Sequence, residues 1–168
     1  MPPPKEKDVL LEALSVNAMI TPNPPYTPVI VMELEDGSEF ALYNVPYEIV
    51  YILNKIEKGE VDLTGSRDTI FDLLASLTGL LSDLQNAVEY VVIDEIDYST
   101  FLYTAKISIN LGGIYMTRKM VPSHAIFLAR LFKKPIYVSR KLVEEQELLE
   151  KRMREESSLD EDEEYSDI

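Results

Sequence analysis

Three consecutive runs between Val88 and Met120, VEYVVID, TFLYTAKISIN and GIYMTRKM, are rich in β-branched and aromatic residues and are separated by Asp97-Tyr98-Ser99 and by Gly112-Gly113. Such runs suit a pleated, half-buried surface, and connections this short join strands that run antiparallel. The second half of the chain is thereby committed to an antiparallel sheet. The first half repeats the pattern: VIVMELEDGSEFALYNV holds two strand-like runs about Asp36-Gly37, residues that accept the positive φ of a tight hairpin turn. Residues 9 to 20 read as a strand before them, closed by the four prolines of TPNPPYTP, which forbid regular structure.

Helical spacing fills the gaps. Pro46 suits a first helical position, and Ile49, Ile52, Leu53 and Ile56 form a stripe that Gly59 terminates. Ser66 or Asp68 caps a longer helix with Ile70, Leu74, Leu77, Leu81 and Leu84 on one face and Asp72 opposite. Pro122 and Ser123 open a further helix, closed at Lys134 because Pro135 cannot continue it, and Ile136 to Val138 read as a buried strand with Tyr137 in the core. Ser139 caps a last helix. The order βββ-α-α-βββ-α-β-α predicts a single α+β domain, a largely antiparallel or mixed sheet with helices packed against it. Its expected limits are a flexible N-terminus at 1–8, the domain at 9–143, a C-terminal helix at 144–156 and a disordered acidic tail at 157–168.

Charge divides the chain more sharply than pattern does. Of a net charge of -14, most comes from residues 144 to 168, which hold twelve acids against Lys151, Arg152 and Arg154. The low pI therefore describes the tail, and a nearly balanced body remains free to meet nucleic acid. Without cysteine and with His124 as the one histidine, disulfides, thiolate chemistry and zinc sites needing two imidazoles are excluded. Acids at Glu6, Asp8 and Glu12 interrupt what a signal peptide would need as its apolar core, and no run approaches the length of a membrane span, so the cytoplasm is the expected compartment.

Against this acidity stands RKMVPSHAIFLARLFKKPIYVSRKLV, residues 118 to 143, with seven Lys or Arg and no acid. A cationic surface binds phosphates through counterion release, with Arg118, Lys119, Arg130, Lys133 and Lys134 the expected nucleic-acid contacts. The competing reading makes them ordinary solvated ends of a helix and two strands. Asp94, Glu95 and Asp97 lie at the end of one strand and in its turn, where Asp94 and Asp97 are candidate ligands for Mg²⁺ or Mn²⁺, ions that prefer carboxylate oxygen. Acids in turns are also ordinarily just solvated. No Gly-rich phosphate loop, paired-histidine motif or nucleophile elbow is present.

The segments VPSHAIFLARLFKKPIYVSRKLVEE and VVIDEIDYSTFLYTAKISI, with ALYNVPYEIVYIL and RDTIFDLLASL upstream, resemble the bifunctional nuclease domain family, small α+β proteins credited with DNase and RNase activity. The resemblance spans about residues 9 to 145 and implies a phosphodiesterase in which Glu48 and Asp72 stand at recurrent acids and Arg67 is retained. It also implies self-association into a homo-oligomer. Where the family commonly has Arg before the Pro-Ser pair and Asp after it, this chain has Val121 and His124; Phe71 replaces a common His, and Val45 a common Gly.

Two functions follow from these residues. One is a nuclease with Glu48, Asp72 and His124 as catalytic candidates, the last as proton donor. The other is a nucleic-acid-binding or homo-oligomeric assembly module that keeps the fold without the chemistry. The acidic tail either folds back on the basic segment as a phosphate mimic or docks another protein.

Overall fold

The computed structural model describes residues 9–61 and 67–164, the last six without their side chains. Its elements are β1 (Leu10–Ile20), β2 (Pro28–Leu34), β3 (Glu39–Tyr43), α1 (Tyr47–Lys58), α2 (Ile70–Ser76), a 3-10 turn (Thr78–Leu80), α3 (Ser82–Ala87), β4 (Val88–Asp97), β5 (Leu102–Leu111), β6 (Ile114–Met120), α4 (Pro122–Phe132), β7 (Ile136–Ser139) and α5 (Arg140–Glu164). One seven-stranded sheet runs β3-β2-β1-β7-β4-β5-β6. Every pair is antiparallel except β4 with β7. The expected α+β class, with a mixed sheet and helices packed against it, is what the chain forms. Short β7 joins the two antiparallel halves.

Strand alternation divides the sheet into two faces. Val91 and Ile93 of β4, Ala105 and Ile107 of β5, and Ile136 and Val138 of β7 enter one core with Ile49, Ile52 and Leu53 of α1 and Ala125, Ile126, Phe127 and Ala129 of α4. Burying each larger side chain contributes about 1.5–3 kcal/mol. The sheet is rolled, for Phe40 of β3 meets Tyr103 of β5 edge to face at 5.1 Å although four strands separate theirs in the sheet order. Across the edge of β3, α5 places Gln146: its Oε1 accepts from the Ala41 N–H at 2.8 Å and its Nε2 donates to the Ala41 carbonyl at 2.9 Å. This buried amide does for Ala41 what a neighbouring strand would do.

Four expectations change. The helix expected through Leu84 is broken after Ser76, where the Ser76 and Thr78 hydroxyls donate to the Leu73 and Ala75 carbonyls and compete with the helix ladder. Its cap is Thr69 rather than Asp68, while Ser66 lies outside the described residues. Tyr137 leaves the core: Ile136 and Val138 point to the helices, so Tyr137 is half-buried on the other face. At the C-terminus α5 continues to Glu164, past residue 156, in a stretch whose Glu and Leu residues favour helix. Residues 1–8 and 165–168 lie outside the described residues.

Candidate functional site

The cleft between α1 and the start of α2 is lined by Glu48, Tyr51, Asn54, Lys55, Lys58, Glu60, Arg67, Thr69 and Asp72, and holds about 380 Å³. Its floor is a polar stripe. Glu48, Tyr51, Lys55 and Lys58 recur at three- and four-residue spacing and share one side of α1, opposite buried Ile49, Ile52 and Leu53. Glu48 and Asp72, far apart in sequence, thus line one cleft together with Arg67 and with Lys55 and Lys58 of α1.

Asp72 is not a free carboxylate. Its Oδ1 accepts from Lys55 Nζ at 2.7 Å, and its Oδ2 accepts from the Thr69 N–H at 2.9 Å and the Thr69 hydroxyl at 2.7 Å. The Thr69 hydroxyl in turn accepts from the Asp72 N–H, closing a capping box. Burial pushes the carboxyl up, but the Lys55 and Thr69 bonds together outweigh it and hold Asp72 down to about 2. A group so fully bonded is a poor proton acceptor; it fixes Lys55 and the first turn of α2. Glu48 carries no ion pair among the described residues and, with Glu60, is an exposed carboxylate of the cleft.

His124 does not reach this cleft. Phe71 and Asp72 point about 100° apart on α2, and it is Phe71 that meets the imidazole, at 5.4 Å between ring centres, while packing on Phe127 at 5.1 Å. His124 is a packing contact between α4 and α2.

A second charged cluster lies on the helix-free sheet face. The β4 register shifts between Ile93 and Glu95, so that adjacent Asp94 and Glu95 both turn toward Lys106. Lys106 Nζ lies 2.9 Å from Asp94 Oδ2 and 2.9 Å from Glu95 Oε1, and Lys119 Nζ lies 2.8 Å from Glu95 Oε2. Lys119 foremost and Lys106 next hold the Glu95 carboxyl below its ordinary value. Asp97 is elsewhere, accepting from the Ser99 hydroxyl and N–H in the β4–β5 turn. The candidate pair Asp94 and Asp97 is therefore not brought together. Among the described residues no group of three or more His, Asp or Glu is placed to hold a metal ion. With Asp72, Asp94 and Glu95 given over to lysines, the donor sets among the described residues do not fit a metal bound by the protein alone.

The basic stretch separates into parts. Arg118 pairs in register with Ile107 and Lys119 with Lys106, so the two occupy opposite faces of β6, and Lys119 is already spent on Glu95. Arg130, Lys133 and Lys134 stay together at the end of α4, in a cleft with Glu12, Glu57, Pro135 and Tyr137. None of the three makes an ion pair among the described residues. Lys133 sits in the left-handed region at φ 55. The polar stripe of α1 was a legible signal for the first cleft that reading acids singly overlooked.

The family model for the bifunctional nuclease domain matches residues 48–151, more than half of the chain. This chain belongs to the bifunctional nuclease domain family. The match runs from α1 into α5, so the α1–α2 cleft of this bifunctional nuclease domain falls inside it with Arg130, Lys133 and Lys134, whereas the β1–β3 sheet half, which gives Glu12 to the second cleft, stands before it. No curated protein matches the chain. No described helix is long and apolar enough to cross a membrane.

Proposed function

We propose that this domain is a phosphodiester hydrolase acting on nucleic acid, with the α1–α2 cleft as its reaction site. The observation that carries this reading is the meeting of Glu48, a carboxylate unpaired among the described residues, with Lys58, Arg67 and the Lys55–Asp72 pair inside one cleft of a nuclease-family domain. Cations suit the non-bridging oxygens of a phosphodiester and the negative charge that grows on them during attack. Glu48 then takes a proton from the attacking water as its oxygen bonds to phosphorus. The bond from phosphorus to the departing sugar oxygen breaks, that oxygen takes a proton from solvent, and Glu48 returns its own. Asp72 is a positioning residue that aims Lys55, and no step here passes through a metal. Arg130, Lys133 and Lys134 hold the backbone outside the cleft.

A second reading, binding or assembly without hydrolysis, has its own support. Most of the candidate acids are neutralised by lysine, and strand β6 ends the sheet with Ile114 and Tyr115 exposed, an edge open to self-association. Labelled single- and double-stranded DNA and RNA, incubated with Mg²⁺, with Mn²⁺ or with EDTA, separate the two. Cleavage that Glu48→Gln abolishes supports the hydrolase; no cleavage under any condition leaves the binding module.

A further inference from the structure

The sheet face turned away from α1 and α4 carries a row of side chains that the reaction cleft does not use. Tyr137 of β7 pairs in register with Val92 of β4, Val92 with Lys106, and Lys106 with Lys119; Tyr90, two residues before Val92, pairs with Ser108, and Ser108 with Thr117. Tyr90 and Tyr137 touch edge to face with ring centres 6.1 Å apart, and both remain partly exposed. Beside them Leu10, Tyr90, Val92, Asp94, Lys106, Ser108 and Thr117 enclose a shallow concavity of about 200 Å³. Within it Asp94 Oδ1 is buried and accepts no hydrogen bond among the described residues, although its partner oxygen is taken by Lys106.

A buried carboxylate oxygen without a donor is costly unless something supplies one. Tyr137, beyond which Glu12 of β1 continues the row in register, also lines the cleft that Arg130, Lys133 and Lys134 share with Glu12 and Glu57, so the tyrosines adjoin three cations that form no ion pair among the described residues. Cations leading onto tyrosine rings and an unfilled acceptor describe a ligand with a phosphate backbone, flat rings and N–H donors. Each nucleobase has such a donor on its Watson–Crick edge, free in a single strand and occupied in a duplex.

We infer that this face is a platform for single-stranded nucleic acid, on which bases stack against Tyr90 and Tyr137 and a base N–H donates to Asp94 Oδ1 while Arg130, Lys133 and Lys134 hold the adjoining phosphates. The inference rests on the reading that the domain acts on nucleic acid, and it names the strandedness of the substrate. Fluorescence anisotropy of a labelled mixed-sequence DNA 12-mer, single-stranded and as a hairpin-free duplex, tests it on the full chain. The single strand binds at least tenfold tighter than the duplex. Tyr90→Leu weakens single-strand binding roughly 5- to 100-fold, the range expected for one lost stack, leaves duplex binding unchanged, and is rescued by Tyr90→Phe. Should Tyr90→Leu fail to fold, the strand preference of the unaltered protein and Tyr137→Leu carry the test. Equal binding of both forms, or single-strand binding indifferent to the tyrosines, overturns the platform and leaves the nucleic-acid reading standing. No binding of any nucleic acid overturns both.

Discussion

At the residue scale, the account turns on carboxylates that look alike in sequence and differ in their partners. Asp72 is held by Lys55 and Thr69 with a pKa of about 2, below its unfolded value, so its stabilising contribution is present above about pH 4 and is lost as pH falls toward 2. Allowing for solvent screening at this partly exposed pair, the contribution is on the order of 1 kcal/mol. Asp72→Asn lowers the free energy of urea unfolding at pH 7 by about that amount and flattens the acid limb of the stability curve; equal acid sensitivity in both proteins counts against the pair. Lys133 gives a complementary case. An L-residue at φ 55 costs about 1–2 kcal/mol and glycine's added chain entropy about 0.5–1. Lys133→Gly therefore raises stability by about 0.5–1 kcal/mol while weakening nucleic-acid binding, with a salt dependence shallower by roughly 0.7. Loss of both stability and binding contradicts this.

At the scale of elements, Gln146 sets how α5 is attached. Removing its amide strands the buried Ala41 N–H and carbonyl, so Gln146→Leu costs about 2–3 kcal/mol by thermal unfolding; a change under 0.5 kcal/mol shows the edge finding other partners. The same bond decides where a tail truncation belongs. Glu150 still reaches Tyr43, so the cut falls after Arg154. A continuous helix rising 1.5 Å per residue carries Glu164 about 21 Å along its axis beyond Glu150. That truncation accordingly leaves stability and low-salt affinity unchanged, whereas tighter binding establishes the acids as phosphate mimics. Pattern alone made the hairpins, α1, α4 and the sheet class legible, because alternation and turn residues are local. It failed where hydroxyls break the expected long helix after Ser76, and where the β4 bulge turns Asp94 and Glu95 to one side. Neither leaves a period to read. Tyr137 shows the same limit: a three-residue run between Pro135 and a helix does not say which of its faces is covered.

At the scale of the whole molecule, charge is sorted by the fold rather than by the sequence order. Seven cations that are contiguous in the chain scatter to both faces of β6, the end of α4 and the start of α5, and three of them remain together and unpaired among the described residues. Conversely Glu48 of α1 and Arg67 and Asp72 at the start of α2, far apart in the chain, converge in one cleft. The result is a bifunctional nuclease domain with two charged clefts, one holding Glu48, unpaired among the described residues, and one leading to the tyrosine face. The measurement that bears most directly on this account is hydrolysis of a labelled single-stranded oligonucleotide by the unaltered protein and by Glu48→Gln, each confirmed folded by thermal unfolding. The account predicts cleavage that persists in EDTA and falls at least 100-fold in Glu48→Gln at unchanged stability. Equal cleavage by both proteins, or none by the unaltered one, contradicts it.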